Sequence, residues 1–310
     1  MKMVLLSDLH LSNHKFISRL DNIENVQYEK LEYFLNYAKK NNAIILQAGD
    51  WHDVPRSHVI LLREVRLLEK YKVPIYCVFG QHDQYYRSKK YTSLSILAAA
   101  GYVVILSEKP MVLDDGHKAV HVYGCGYGED EIPKVVLKQA TNVLVAHRMV
   151  IAKRMWPGQE DYELADRFLI KHADFDLVLC GDAHVVRGFV HHRKDTGSII
   201  CNTGPMVRKS VDLWDHEPGF FVYDTETKGM EWKFIPHEPP EKCMTRKHIE
   251  RTEENNDMLR DFIEAANNDI ETGSFFEDNL TEFIKVNSIE KEVVDVMSKE
   301  MEEKDGKSVG

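Results

Sequence analysis

Met3-Val4-Leu5-Leu6-Ser7-Asp8-Leu9-His10 is an apolar run that ends in two side chains able to hold a cation. The same shape returns along the chain. Ile44-Ile45-Leu46-Gln47 leads to Gly49-Asp50, and Ile75-Tyr76-Cys77-Val78-Phe79 leads to Gly80-Gln81-His82-Asp83. Asn142–Ala146 then leads to His147, and Phe175–Cys180 to Gly181-Asp182-Ala183-His184. Short, β-branched-rich runs of this kind read as strands. In a layered α/β domain the carboxyl ends of such strands gather along one edge, where ligands bind. Side chains one residue apart on an extended segment point the same way, so Asp8-x-His10 and Asp182-x-His184 each offer two ligands to one ion.

Working outward, Lys2–Leu6, Ala43–Gln47, Val73–Phe79, Tyr102–Leu106, Ala119–Tyr123, Asn142–Ala146 and Phe175–Cys180 are expected strands. Between them, Tyr28–Lys40, His58–Tyr71, Thr92–Ala100 and Tyr162–His172 carry apolar positions at helical spacing. Leu31, Phe34, Leu35 and Ala38 make one such stripe. The later strands Ser198–Cys201, Gly219–Tyr223 and Glu231–Ile235 have no long helix between them. This order predicts an α/β layered domain with mixed sheets. Pro236-His237-Glu238-Pro239-Pro240 interrupts regular structure and sets an expected boundary. A main domain over residues 1–237 is expected before it, and a small helical region over 238–310 after it. In that region Met258, Phe262 and Ala265 or Ala266, then Ile289, Val293, Val296 and Met297, recur at helical spacing.

The chain has 310 residues, 43% hydrophobic and 29% charged, as a water-soluble globular protein does. No stretch has the roughly 20 apolar residues of a membrane helix. The N-terminal apolar run is too short for a signal peptide, so a cytoplasmic protein is expected. Five cysteines without a CxxC pair exclude a zinc finger or a disulfide framework and read as buried thiols. Charge is uneven: residues 241–310 hold 10 Lys and Arg against 19 Asp and Glu, while the first 240 are nearly neutral. An acidic tail does not hold nucleic acid by itself, whereas a neutral body can carry a local basic groove.

The oxygen and nitrogen ligands at the strand ends suffice for two divalent cations, with a carboxylate such as Asp50 shared between them. Two metals about 4 Å apart bind a phosphoryl group and activate water for in-line displacement. Mixed carboxylate and imidazole donors suit manganese, iron or zinc better than thiolate-selective ions.

These elements resemble the calcineurin-like metallophosphoesterase superfamily, whose signature runs D-x-H, G-D, G-N-H-D, H, then G-H-x-H. Their order and spacing are most similar to the SbcD-type nuclease subunit of the double-strand-break repair complex, in a compact form like its viral members. Asn202-Thr203-Gly204-Pro205-Met206-Val207-Arg208-Lys209-Ser210 is similar to the N-P-G-S-x-x-R-x-S segment that follows the last metal motif there. The resemblance implies the layered αββα sandwich of that superfamily. It implies one metal on Asp8, His10, Asp50 and His184, and a second on Asp50 and His147. His82 would contact the phosphate and assist the leaving group, oriented by Asp83. Gln81 stands where the family has Asn, and Asp182 where it usually has His. Both fall on the second metal, and Asp182 favours a harder ion such as manganese or magnesium.

Arg148 and Arg208 are candidates to hold backbone phosphates, as are Arg87, Lys89, Lys90, Lys153, Arg154 and Lys209. His52, just after Asp50, is a candidate to face substrate, and Trp156 to stack on a base. The resemblance implies a manganese-dependent DNA exo/endonuclease acting in recombination or repair with an SbcC-like coiled-coil ATPase, and a homodimer. Three readings of the tail stay open: a flap that packs on the body, a docking segment for a partner, or a small cap. Two alternatives stay open: a stand-alone phosphoesterase for nucleotides or phosphoproteins, and a non-catalytic scaffold of the same fold.

Overall fold

A computed structural model describes residues 1–252 apart from 115, 117 and 156, together with 256, 258–260, 284, 285 and 294. In chain order the elements are β1 (Lys2–Leu6), α1 (Ile23–Lys40), β2 (Ile44–Gln47), α2 (His58–Tyr71), β3 (Ile75–Cys77), α3 (Ser93–Ala99) and β4 (Val104–Ile105). They continue with β5 (Met111–Asp114), β6 (Ala119–Cys125), β7 (Thr141–Ala146), β8 (Val150–Ile151), β9 (Glu163–Leu164), α4 (Ala165–Lys171) and β10 (Leu177–Cys180). The last are β11 (Phe189–His192), β12 (Ile199–Asn202), β13 (Gly219–Asp224), β14 (Gly229–Phe234) and α5 (Pro240–Cys243).

Two six-stranded mixed sheets form, ordered β14-β13-β1-β2-β3-β4 and β11-β12-β10-β7-β6-β5. Alternation along the strands sets the layers. Met3 and Leu5 of β1 pack in one apolar cluster with Val143 and Val145 of β7 and Leu177 and Leu179 of β10, so the two sheets face each other there. The residues in between point the other way. Val4 and Leu6 join α1, α2 and α3 in a second cluster, while Leu144, Ala146, Val178 and Cys180 join α4 in a third. The result is an αββα sandwich, and strands buried on both faces explain the unbroken apolar runs of the sequence.

Helix α1 starts where Asn22 Oδ1 accepts the Asn25 amide and buries Leu31, Phe34, Leu35 and Ala38 completely. Each of its large side chains contributes about 1.5–3 kcal/mol by leaving water. Helix α3 is fixed by a reciprocal Thr92–Ser95 capping box. The fourth helix is shorter than expected because Glu163 and Leu164 pair in parallel with Val150 and Ile151 instead. Strands β5, β8, β9 and β11 lie outside the expected set; they are two to four residues long, and β5 and β11 lie at the edges of their sheet. Pairing rather than a local apolar pattern defines them.

The compact body runs through Thr245, past the proline-marked boundary at 237. Cys243 and Met244 are buried in it, and the Leu20 and Thr245 amides donate to Cys243 O and Ser18 O. Arg246–Gly310 form a separate unit, helical over 247–252. The expected stripes at Phe262, Ala265, Ile289, Val293, Val296 and Met297 lie outside the described residues, as does Trp156. No helix among the described residues is long and apolar enough to cross a membrane.

Candidate metal centre

Strands β1, β2, β3, β7 and β10 deliver Asp8 and His10, Asp50, Gln81 and His82, His147, and Asp182 and His184 to one edge of the sandwich. The backbone there is not extended. Asp8, His10, Asp50 and Asp182 have φ of 49°, 47°, 54° and 73°. The shared direction of Asp8 and His10 therefore comes from left-handed turns beyond the strand end, not from strand alternation. Such conformations cost about 1–3 kcal/mol each and persist where surrounding structure enforces them. The first turn is held by the Asp8 and His10 amides on Gly49 O and Asp50 O, and by Met206 N on Asp8 O.

Three groupings place their donor atoms within 4.8 Å of one another: Asp8, His10 and His184; His10, Asp50 and His82; and Asp8, Asp50 and His147. His10 Nε2 lies 3.0 Å from His184 Nε2 and 3.6 Å from Asp50 Oδ2. His147 donates Nδ1–H to Ala48 O at 2.6 Å, which turns Nε2 inward, 3.5 Å from Asp50 Oδ2. Gln81 Oε1 is 2.5 Å from that Nε2, and Gln81 Nε2 donates to Asp182 Oδ1 at 3.0 Å. The longer Gln81 side chain thus sets its carbonyl oxygen beside the lone pair of His147 Nε2 while its amide holds Asp182. Close approach needs small residues: a Cβ at Gly49 would overlap the His147 ring, and one at Gly80 the Asp50 carboxylate.

Electrostatically the cluster is uncompensated. Asp8 Oδ2 and Asp50 Oδ2 are buried without a hydrogen-bond partner. Burial, reinforced by Asp50, pushes the Asp8 carboxyl up to about 7. Burial, reinforced by Asp83, pushes Asp50 up to about 8. Burial lowers His10 to about 3 and His184 to about 4, and nearby Lys209 acts in the same direction. Orphaned carboxylate oxygens facing neutral imidazoles fit a divalent cation, which supplies the missing positive charge.

Other expected site residues are placed differently. Asp83 does not orient His82: its carboxylate accepts the Trp51, His52 and Gly80 amides at 3.0–3.1 Å. His82 is held instead by Asp53, whose carbonyl accepts Nδ1–H at 2.7 Å. His52 does not face substrate. It is fully buried, 3.0 Å from Glu64 Oε2, because its side chain turns under the loop toward α2. Arg208 is buried and donates to His216 O and Glu238 O, so it ties segments together. Arg148 is half-buried and donates to Glu129 O and Asp130 O beside the centre. Lys89 pairs with Glu129, and Lys209 with Asp53 at 2.7 Å, while Arg87 and Lys90 are exposed.

Two residues escaped the sequence reading. Asp53 carries His82 on its carbonyl and faces His10 Nδ1 at 3.3 Å with its carboxylate. His10 and Lys209 hold that carboxyl well below the usual range despite burial. Glu64 accepts from Trp51 Nε1 and stands against His52. Its signal was a charge on the Ile60–Glu64–Leu68 stripe, where an apolar residue belongs.

An αββα sandwich with paired Asp and His ligands at its strand ends defines a metal-dependent phosphoesterase. The chain belongs to the calcineurin-like phosphoesterase family, whose model matches residues 1–186. Over 233 residues it is 23% identical to the DNA double-strand break repair protein Mre11 of Sulfolobus acidocaldarius, covering 70% of this chain and 58% of that protein. The chain thus spans little more than half the length of that relative. Among solved structures, the protein TT1561 of Thermus thermophilus is 14% identical with a TM-score of 0.49, over 76% of this chain and 99% of that one. A novel archaeal phosphodiesterase is 13% identical with a TM-score of 0.41, over 76% and 100%.

Proposed function

We propose that this chain is a two-metal phosphodiesterase acting on DNA, an exo/endonuclease subunit for recombination or repair in the cytoplasm. The observation that carries the reading is the cluster of buried Asp8, His10, Asp50 and His147 with half-buried His184, which includes two orphaned carboxylate oxygens. Asp8, His10, Asp50 and His184 would hold one divalent cation, and Asp50, His147, Gln81 and Asp182 the second. Manganese is the expected ion, with magnesium, iron or zinc as the other choices for this donor set. When bound, the pair supplies Lewis acidity toward the phosphoryl oxygens and a nucleophile near neutral pH.

The protein's own part is positional. His82, fixed through Nδ1 by Asp53, keeps its other nitrogen to hold or pass a proton at the leaving oxygen. Asp83 pins the loops bearing Asp50 and His82 by gathering three amides. Exposed Arg87 and Lys90 beside the third loop suit phosphate contacts, and half-buried Arg148 borders the centre. The relative, a DNA double-strand break repair protein, supports DNA as substrate; an SbcC-like coiled-coil ATPase partner and a homodimer belong to the same reading and rest on the resemblance of the sequence motifs alone.

A second reading, a small phosphodiester as substrate, is favoured by one feature. A cavity of about 370 Å³ beside His147 is lined by Glu129, Asp130, Asp161, Glu163 and Asp182, which repel a polyanion on that side. The deciding assay is release of nucleotides from linear duplex and single-stranded DNA with manganese, beside an Asp50→Ala control. Release by the wild type alone supports the nuclease. Hydrolysis only of a small chromogenic phosphodiester moves the second reading ahead. Silence toward both overturns the catalytic assignment in favour of a scaffold.

A further inference from the structure

Away from the metal centre, a cavity of about 270 Å³ lies between α1, the segment after β12 and the connector leading to α5. Its walls include Arg19, Lys30 and Arg208, which are 5%, 4% and 4% exposed. Arg19 is neutralised by a two-pronged pair with Asp21, at 2.9 and 2.6 Å. The other two cations are not neutralised. Lys30 Nζ makes one hydrogen bond, to Met206 O at 2.9 Å, and no ion pair among the described residues. Arg208 donates to two backbone carbonyls, His216 O and Glu238 O, and likewise has no carboxylate partner among the described residues.

Buried charge without a counter-charge is expensive, and an ammonium has three donors to satisfy. An apolar residue at position 30 would fill the α1 stripe at no such cost. The carboxylates that line the cavity do not supply the missing charge: Asp21 is engaged by Arg19, Glu29 is exposed, and Glu238 approaches Lys242 at 3.7 Å. We propose that this cavity is a binding site for a tetrahedral oxyanion of the phosphate class, held between the Lys30 ammonium and the Arg208 guanidinium. Both groups match the ligand: Arg presents a planar fork to phosphate oxygens and Lys a point charge. Burial, with Arg19 and Arg208 nearby, lowers the Lys30 amine to about 7, and an anion beside it reverses that pressure. Lys30 is linked to the metal centre through Met206, whose carbonyl accepts from Lys30 Nζ and whose amide donates to Asp8 O.

The test uses the full chain and inorganic phosphate, with sodium chloride of equal ionic strength as control. Thermal unfolding is followed with manganese present and again after chelation, because phosphate at the metal centre needs the metals and phosphate in this cavity does not. At about 100 times the half-saturating concentration, phosphate should raise Tm by about 5–10 °C in both conditions. In Lys30→Met the rise that survives chelation should vanish. A rise lost on chelation in the wild type, or kept in Lys30→Met, overturns the proposal. Acetate matching phosphate would overturn the tetrahedral assignment. A readout without a variant is the Nζ resonance of Lys30 in lysine-labelled wild-type protein: a saturable shift with phosphate is expected, and a signal unmoved by phosphate refutes the site.

Discussion

Glu64→Gln removes the carboxylate that stands 3.0 Å from His52 Nε2 while keeping the size of the side chain. His52 is fully buried, and burial alone would lower its pKa; Glu64 and Asp83 outweigh that and raise it to about 9. A histidine raised from 6.5 to about 9 on folding contributes about 3 kcal/mol. The sign follows from proton counting. Below pH 6.5 both folded and unfolded chains hold the proton and the contribution is complete. Between 6.5 and about 9 only the folded chain holds it, so the contribution fades as pH rises. Breaking one partner of a buried pair costs about 3–5 kcal/mol, a consistent figure. Glu64→Gln should therefore lower Tm by about 6–12 °C at pH 6, and by much less at pH 9. Urea denaturation of wild type and variant at both values measures the difference. Equal losses at pH 6 and pH 9 would show that His52 is not held as a cation, and a loss under about 1 kcal/mol would remove the buried pair altogether.

The metal centre yields further expectations. Asp8 and Asp50, raised to about 7 and 8, keep protons in the metal-free folded chain that those carboxyls have lost in the unfolded one, so the wild type should lose stability relative to Asp50→Asn as pH rises from 5 to 8; denaturation in chelator reads this difference directly. Manganese must displace those protons, so pH-stat titration should record proton release on binding and an affinity that weakens below pH 7. Asp50→Asn should abolish the metal-dependent rise in Tm, and lose at least about a thousandfold in hydrolysis of a phosphodiester, while the metal-free protein stays as stable or gains. Asp53→Ala should weaken metal affinity by about 10–100-fold, read by competition with a fluorescent chelator, because His10 loses the carboxylate 3.3 Å from its Nδ1. Gly80→Ala should lose metal stoichiometry, since its Cβ collides with the Asp50 carboxylate.

Much of this protein was legible along the chain. Apolar runs buried on both faces announce central strands whatever they pair with, so β1, β2, β7 and β10 and the Asp and His residues that follow them stand out in the sequence. The stripe of Leu31, Phe34, Leu35 and Ala38 did the same for α1, because a helix repeats its buried face locally. Short edge strands such as Met111–Asp114 and Phe189–His192 were not legible, since their conformation follows from hydrogen bonds to β6 and β12.

The roles of polar side chains divided along the same line. Residue type and place in the chain determined which groups could ligate a cation, but not where each side chain turns. His52, one position from Asp53, points under its loop to Glu64, whereas Asp53 reaches His10; backbone angles and packing against α2 decide between them. By residue type Arg208 suits a phosphate contact at the metal centre, but the fold places it on a separate buried cavity, and Asp83, expected to orient His82, gathers three amides instead. The sequence by itself determined the layered α/β class and the ligand pool, because hydrophobic periodicity and donor chemistry are local properties. Tertiary structure alone decided which donors converge, which charges are left without a partner and which are absorbed, because those depend on atoms brought together from opposite ends of the chain.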